Sequence, residues 1–288
     1  MKKLIALLLA MMMVFALAAC GGSNASAPAE APAEEPAAEA PAEAPAAESD
    51  MAYVQDKGVL VVGITDFEPM DYKDDAGNWI GFDADMAKAF AESLGVAVEF
   101  VEIDWDHKIL ELNSQAIDCV WNGMTLTAEV TSAMECSNAY CNNAQVVIVP
   151  VDVADDYQTV ESLEGLVFAV EAGSAGEAEV EALGNEYNSV QNQAATLLEV
   201  SAGTSDAAVI DSLMAAAMVG EGTSYENLTY TVGLNSEEYG VGFRTGSDLA
   251  AALNDFFAAA YANGSMQEIA ELYGVQAALI EQVPAEAE

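Results

Sequence analysis

Asp118-Cys-Val-Trp-Asn-Gly-Met-Thr-Leu-Thr127 is the stretch whose reading decides the fold. Residues 117–121 form a short apolar run of the kind that builds a buried strand. It passes into small and hydroxylic residues, and Thr127 then stands where a helix N-cap is expected. Asn122, Gly123, Met124 and Thr125 offer a bare backbone and two hydrogen-bonding side chains at the strand's carboxyl end. In open α/β sheets, ligands bind beyond such ends. An ordinary strand-to-helix turn would read the same, so the rest of the chain has to decide.

Working outward, the pattern recurs. An apolar strand at 59–63 runs into a loop carrying Phe67, and turn chemistry at 74–78 predicts a hairpin between Tyr72 and Trp79. Asp83 is expected to cap a helix that Gly95 stops. A strand at 96–103 ends in Asp104-Trp-Asp106. Asp106 is expected to cap a helix through 115, with Ile109, Leu110 and Leu112 inward. Beyond the strand at 145–149, a second buried run at 166–170 ends in Glu171-Ala-Gly-Ser-Ala-Gly-Glu177 and opens a helix. Backbone N–H groups there suit a carboxylate or phosphate. No Lys follows, so it is not a phosphate loop. The strand at 207–210 ends at Asp211, which either caps the next helix or meets a ligand. Strands at 230–234 and 239–243 and helices at 247–262 and 265–273 complete the chain. Alternating strands and helices make this an α/β protein.

Of 288 residues, 7 are basic and 48 acidic, giving a net charge of −41. Nucleic-acid binding needs a basic face and is excluded. Residues 1–19 read as a signal segment: Lys2 and Lys3, then an apolar run too short to span a membrane comfortably. Leu17-Ala-Ala-Cys20 resembles the bacterial lipobox, which implies a lipidated Cys20 and a membrane anchor on the extracytoplasmic face. Residues 20–50 are then a disordered Ala/Pro/Glu tether. Setting aside its seven acids together with Lys2 and Lys3 leaves 41 acids and 5 bases, a net of −36 for residues 51–288. Cys119, Cys136 and Cys141 are an odd number, so at least one is unpaired or bridges another chain. Cys136 and Cys141 are near enough in sequence to pair, and the connectivity stays open. The single histidine, His107, leaves nothing for a His-based triad or zinc site, and no cofactor is expected.

Seven segments together carry a resemblance: Leu60-Val-Val-Gly63, Gly81-Phe-Asp-Ala-Asp-Met-Ala87, Asp104-Trp-Asp106, Gly123-Met-Thr-Leu-Thr127, Gly173-Ser174, Val209-Ile-Asp211 and Gly240-Val-Gly-Phe-Arg244. Over residues 51–275 the chain resembles family 3 extracellular solute-binding proteins, the amino-acid receptors of ABC importers. The resemblance implies a two-lobed periplasmic-binding-protein fold of type II. Lobe one would be 51–147 plus 235–288 and lobe two 148–234, with crossing strands near 146–150 and 231–236. It implies a monomer that hands its ligand to an ABC permease. Carried over by position, Phe67 and Trp105 are the aromatics beside the ligand. Asn122, Gly123, Met124 and Thr125 lie at the strand end, with Gly123 and Thr125 matching positions that hold the ligand's α-groups. Ser174 and Ala175 match backbone donors to a carboxylate, and Asp211 matches the acid that pairs with an α-ammonium.

Two positions depart from the family. Thr127-Ala-Glu-Val130 stands where the family usually has an Arg in fourth place, and no Lys or Arg lies nearby in sequence. Glu171 stands where an apolar or neutral polar residue is usual. With Asp211, these point to a cationic ligand: a basic amino acid, a derivative with a blocked carboxylate, or an amine. A ligand-binding sensor lipoprotein and an enzyme of the same fold, such as a dehydratase, are the competing readings.

Overall fold

A computed structural model describes residues 49–284. The expected signal segment and Cys20 lie outside the described residues, as does all but the end of the tether. No helix among the described residues is long and apolar enough to cross a membrane.

Two sheets organise the chain. In the first, Val59–Ile64 pairs in parallel with Ala97–Glu102 on one side and with Cys119–Thr125 on the other. Glu237–Phe243 then adds antiparallel to Cys119–Thr125, and Glu135–Cys136 and Cys141–Asn143 pair beyond it. In the second, Glu186–Val190, Val167–Glu171 and Ala207–Asp211 run parallel. Gln145–Pro150 and Leu228–Gly233 follow antiparallel. Buried parallel strands need apolar residues on both faces. Phe90, Trp121, Phe256 and Phe257 pack as an aromatic cluster on the first sheet, with centroid distances of 5.5–6.3 Å. Val147, Val170, Val180 and Val209 form one core of the second.

The chain passes between the sheets twice. Cys141–Asn143 belongs to the first and Gln145–Pro150 wholly to the second, so the first passage is at Ala144. Residues 234–236 make the other. They are tied together: Leu234 N–H donates to the Gln145 carbonyl at 2.8 Å, and Gln145 N–H donates to Asn235 Oδ1 at 2.7 Å.

Several local expectations change. The strand does not stop at Trp121. It runs from Cys119 to Thr125, because Tyr239 and Gly240 extend the ladder opposite Thr125 and Met124. Asp83 does not cap its helix. The cap is Gly81, at φ 123°, where a Cβ would sit 2.2 Å from the Met70 carbonyl oxygen, so only glycine fits. Trp105–His107 is a 3₁₀ turn leading into a short helix, Lys108–Asn113, and Leu110 is 65% exposed rather than inward. Glu186–Val190 is a strand that no sequence pattern marked. Cys119, Cys136 and Cys141 are all free thiols, and burial raises the pKa of each.

Candidate ligand-binding site

The parallel strands of both sheets end at one cavity of about 280 Å³. All ten sequence-expected residues line it: Phe67, Trp105, Asn122, Gly123, Met124 and Thr125 from the first sheet's strand ends and loops, and Glu171, Ser174, Ala175 and Asp211 from the second's.

On the first wall, Asn122 is buried and its Oδ1 accepts the Thr65 N–H, fixing one strand-end loop to the next. Gly123 has φ 53°, and a Cβ there would lie 2.5 Å from Phe67 Cε1. Its N–H donates at 2.6 Å to Asp83 Oδ2, which also accepts the Tyr140 hydroxyl at 2.7 Å. The buried Asp83 carboxylate therefore holds the strand end in place. Thr125 Oγ1 donates to Glu237 Oε1 at 2.9 Å and keeps an oxygen lone pair for a donor in the cavity. Phe67 and Trp105 supply buried apolar surface.

On the second wall, Ser174 caps the helix Ala175–Leu183, accepting the Glu177 N–H at 3.1 Å. The first N–H groups of that helix, at Ala175 and Gly176, have no earlier helical carbonyl to bond. Asp211 occupies the N-cap position of its helix, but its carboxylate does no capping. It accepts from Gln145 Nε2 at 2.8 Å and from the side chains of Asn143 and Gln193. Gln145 and Asn143 also donate to Glu237 Oε1, at 2.8 and 2.7 Å. Burial, with Glu237 close by, pushes the Asp211 carboxyl up to about 8. Glu171 is 3% exposed, its Oε1 has no partner among the described residues, and burial and Asp211 push it to about 8 as well.

Sequence reasoning missed five residues here. Asn143, Gln145, Gln193 and Glu237 are polar positions within or beside strands and helices, and no local signal marks them. Lys108 is the fifth: no base stands near Val130 in sequence, but the fold brings this one to the same cavity. Its one sequence signal is position, a helical turn after Trp105. His107 is half-exposed, pairs with Asp104 at 3.2 Å and does not line the cavity.

Burial raises six carboxyl groups: Asp66 and Glu68 above their usual values, Asp71 well above its usual range, Asp83 to about 7, and Glu171 and Asp211 to about 8. Between pH 4 and 8 the native state therefore binds more protons than the unfolded chain, so stability falls as pH rises. The thermal midpoint of ligand-free protein is expected to drop by roughly 5–10 °C from pH 5 to pH 8.5, at about 2–4 °C per kcal/mol. Melting curves across that range check this, and a flat or rising midpoint would contradict it.

The family model for bacterial extracellular solute-binding proteins, family 3, matches residues 60–276. The chain belongs to this family. A similar family member is the arginine-binding extracellular protein ArtP of Bacillus subtilis, 27% identical over 276 residues, covering 93% of this chain and 96% of that one. Among solved structures, an ABC uptake transporter substrate binding protein from Streptococcus pneumoniae with bound histidine has a TM-score of 0.72 and 29% identity. It covers 80% of this chain and 98% of that one. The ancestral amino acid-binding protein AncCDT-1, a precursor of cyclohexadienyl dehydratase, also has a TM-score of 0.72, with 30% identity, covering 78% and 99%. The expected two-lobed fold of type II is the fold of this family-3 protein.

Proposed function

We propose that this chain is the solute-binding component of an ABC importer and captures one amino acid with a cationic side chain between its lobes. The observation that carries this is the pair of buried carboxyl groups, Glu171 and Asp211, on one wall of a single cavity. One acid meets the ligand's α-ammonium and the other its side-chain cation, with Phe67 and Trp105 as the apolar wall. At about 280 Å³ the cavity sits near the low end of ligand sites, roughly 300–1,000 Å³, which suits one amino acid. The arginine-binding name of the Bacillus subtilis relative supports the same ligand class. The remaining pieces belong to this reading: a lipid anchor at Cys20, a tether from the membrane's outer face, lobes divided at Ala144 instead of the expected 147 and near 235, a monomer and an ABC permease as partner.

An enzyme related to the dehydratases is the second reading, prompted by the ancestral precursor among the neighbours. Among the described residues no group of three or more His, Cys, Asp or Glu could hold a metal, and the only histidine stands outside the cavity.

Calorimetric titration with arginine, lysine, histidine, glutamine, glutamate, cystine and putrescine tests the assignment. The expected result is micromolar or tighter binding of arginine or lysine and none of glutamate, with the bound ligand recovered unchanged. Tightest binding of glutamate would overturn the cationic reading, and conversion of the ligand would revive the enzyme.

A further inference from the structure

Residues 49–284 contain five basic side chains: Lys57, Lys73, Lys88, Lys108 and Arg244. Four form ion pairs with carboxylates: Lys57 with Asp118 at 2.6 Å, Lys73 with Glu102 at 3.2 Å, Lys88 with Asp85 at 2.8 Å and Arg244 with Asp50 at 3.1 Å. Lys108 is the one that does not. In a chain with this excess of acid, a cation left without a carboxylate is conspicuous, and Lys108 is also buried and lines the ligand cavity. Its Nζ donates to the Gly173 carbonyl at 2.9 Å and the Trp105 carbonyl at 3.2 Å, and stands 4.9 Å from the centre of the Trp105 ring. An ammonium has three N–H donors, and the third has no partner among the described residues. Glu129, Glu171, Asp106 and Glu177 favour its charge from a distance, but burial outweighs them and none forms an ion pair with it, so an anion arriving from the cavity would stabilise the ammonium further.

Resting on the amino-acid reading above, we propose that Lys108 binds the ligand's carboxylate and so makes the site selective for amino acids over the corresponding amines. Glu171 and Asp211 take the cationic groups, and the third Lys108 donor, with the open N–H groups at Ala175 and Gly176, takes the anion. Because Lys108 also bonds Gly173 on the opposite lobe, the same ammonium links carboxylate capture to contact between the lobes.

The test compares arginine, lysine and histidine with their decarboxylated amines, agmatine, cadaverine and histamine, in wild-type protein, Lys108→Met and Lys108→Arg. Wild type is expected to bind the amino acid at least ten times more tightly than its amine. Lys108→Met should lose about 10–100-fold for the amino acid and at least several-fold less for the amine, which loses only the contact between the lobes, so the preference collapses. Lys108→Arg should restore it. Where the wild type binds no measurable amine, a 10–100-fold loss in Lys108→Met with recovery in Lys108→Arg supports the assignment, and no loss overturns it. A parallel loss for both ligand types would make Lys108 only a link between lobes, and equal wild-type affinity for acid and amine would show that no carboxylate is recognised. Either result overturns the proposal and leaves the cationic-ligand reading standing. If none of the three amino acids binds, that reading fails and this one with it.

Discussion

Asp211→Asn is expected to weaken binding of a basic amino acid by at least about 100-fold. The carboxylate lies buried at the cavity wall and is held by Gln145, Asn143 and Gln193. Removing one partner of a buried charge pair leaves the other uncompensated, which costs about 3–5 kcal/mol, or more than a hundredfold in affinity. The asparagine is nearly the same size, so loss of binding would not come from a change of volume. It also has one acceptor oxygen where the aspartate offers two, and it brings an NH₂ group among three side-chain amides that already donate. Ligand-free stability should fall by a few kcal/mol at most, because the new NH₂ group faces amides that need acceptors, and the melting curve shows that the variant still folds. Titration of the variant with arginine, alongside its melting curve, decides. Wild-type affinity would remove Asp211 from the ligand's partners.

Gly173→Ala should weaken binding by roughly 30-fold through a different route. Gly173 has φ 70°, and a Cβ there would lie 2.7 Å from Asp106 Cα and 2.9 Å from Asp106 Oδ1. Asp106 belongs to the opposite lobe, so the overlap exists only while the two loops touch. A backbone atom cannot swing aside as a side chain can. Destabilising the touching arrangement by about 2 kcal/mol lowers the binding-competent fraction, and apparent affinity falls by the same factor. The left-handed backbone adds about 1–2 kcal/mol of strain whether or not the lobes touch, which should lower the melting midpoint by only a few degrees. Ligand titration paired with small-angle scattering checks this. The expected result is a larger radius of gyration at low ligand concentration that shrinks as ligand saturates. Unchanged affinity would mean that the loops do not need to touch for binding.

Much of the site was legible because its residues sit where local pattern is strongest. Each of the ten expected residues follows the end of an apolar run or opens a helix, and strand ends can be read from alternation and turn chemistry alone. Glu171 and Asp211 are such ends, and all ten residues line one cavity. The same reasoning went wrong where a distant partner decides. Thr125 is a strand residue because Tyr239 pairs with it, and Asp83 is turned inward to hold the Gly123 N–H instead of capping its helix. Leu110 is expected inward with Ile109 and Leu112, yet it stands two positions before the buried Leu112, on the other side of the helix Lys108–Asn113, and faces solvent.

The amino-acid sequence by itself determined the alternation of strands and helices and which loops would carry the site, because both follow from periodicity and turn residues within a few positions. Only the tertiary structure decided what those loops do to one another. Lys108 and Val130 share a wall because two short helices, Lys108–Asn113 and Ala128–Ala133, both border the cavity, and Asn143, Gln145, Gln193 and Glu237 meet around Asp211 only because the chain passes twice between sheets. The charge state of those acids follows from burial and from neighbours brought near by folding, and neither is a property of adjacent residues.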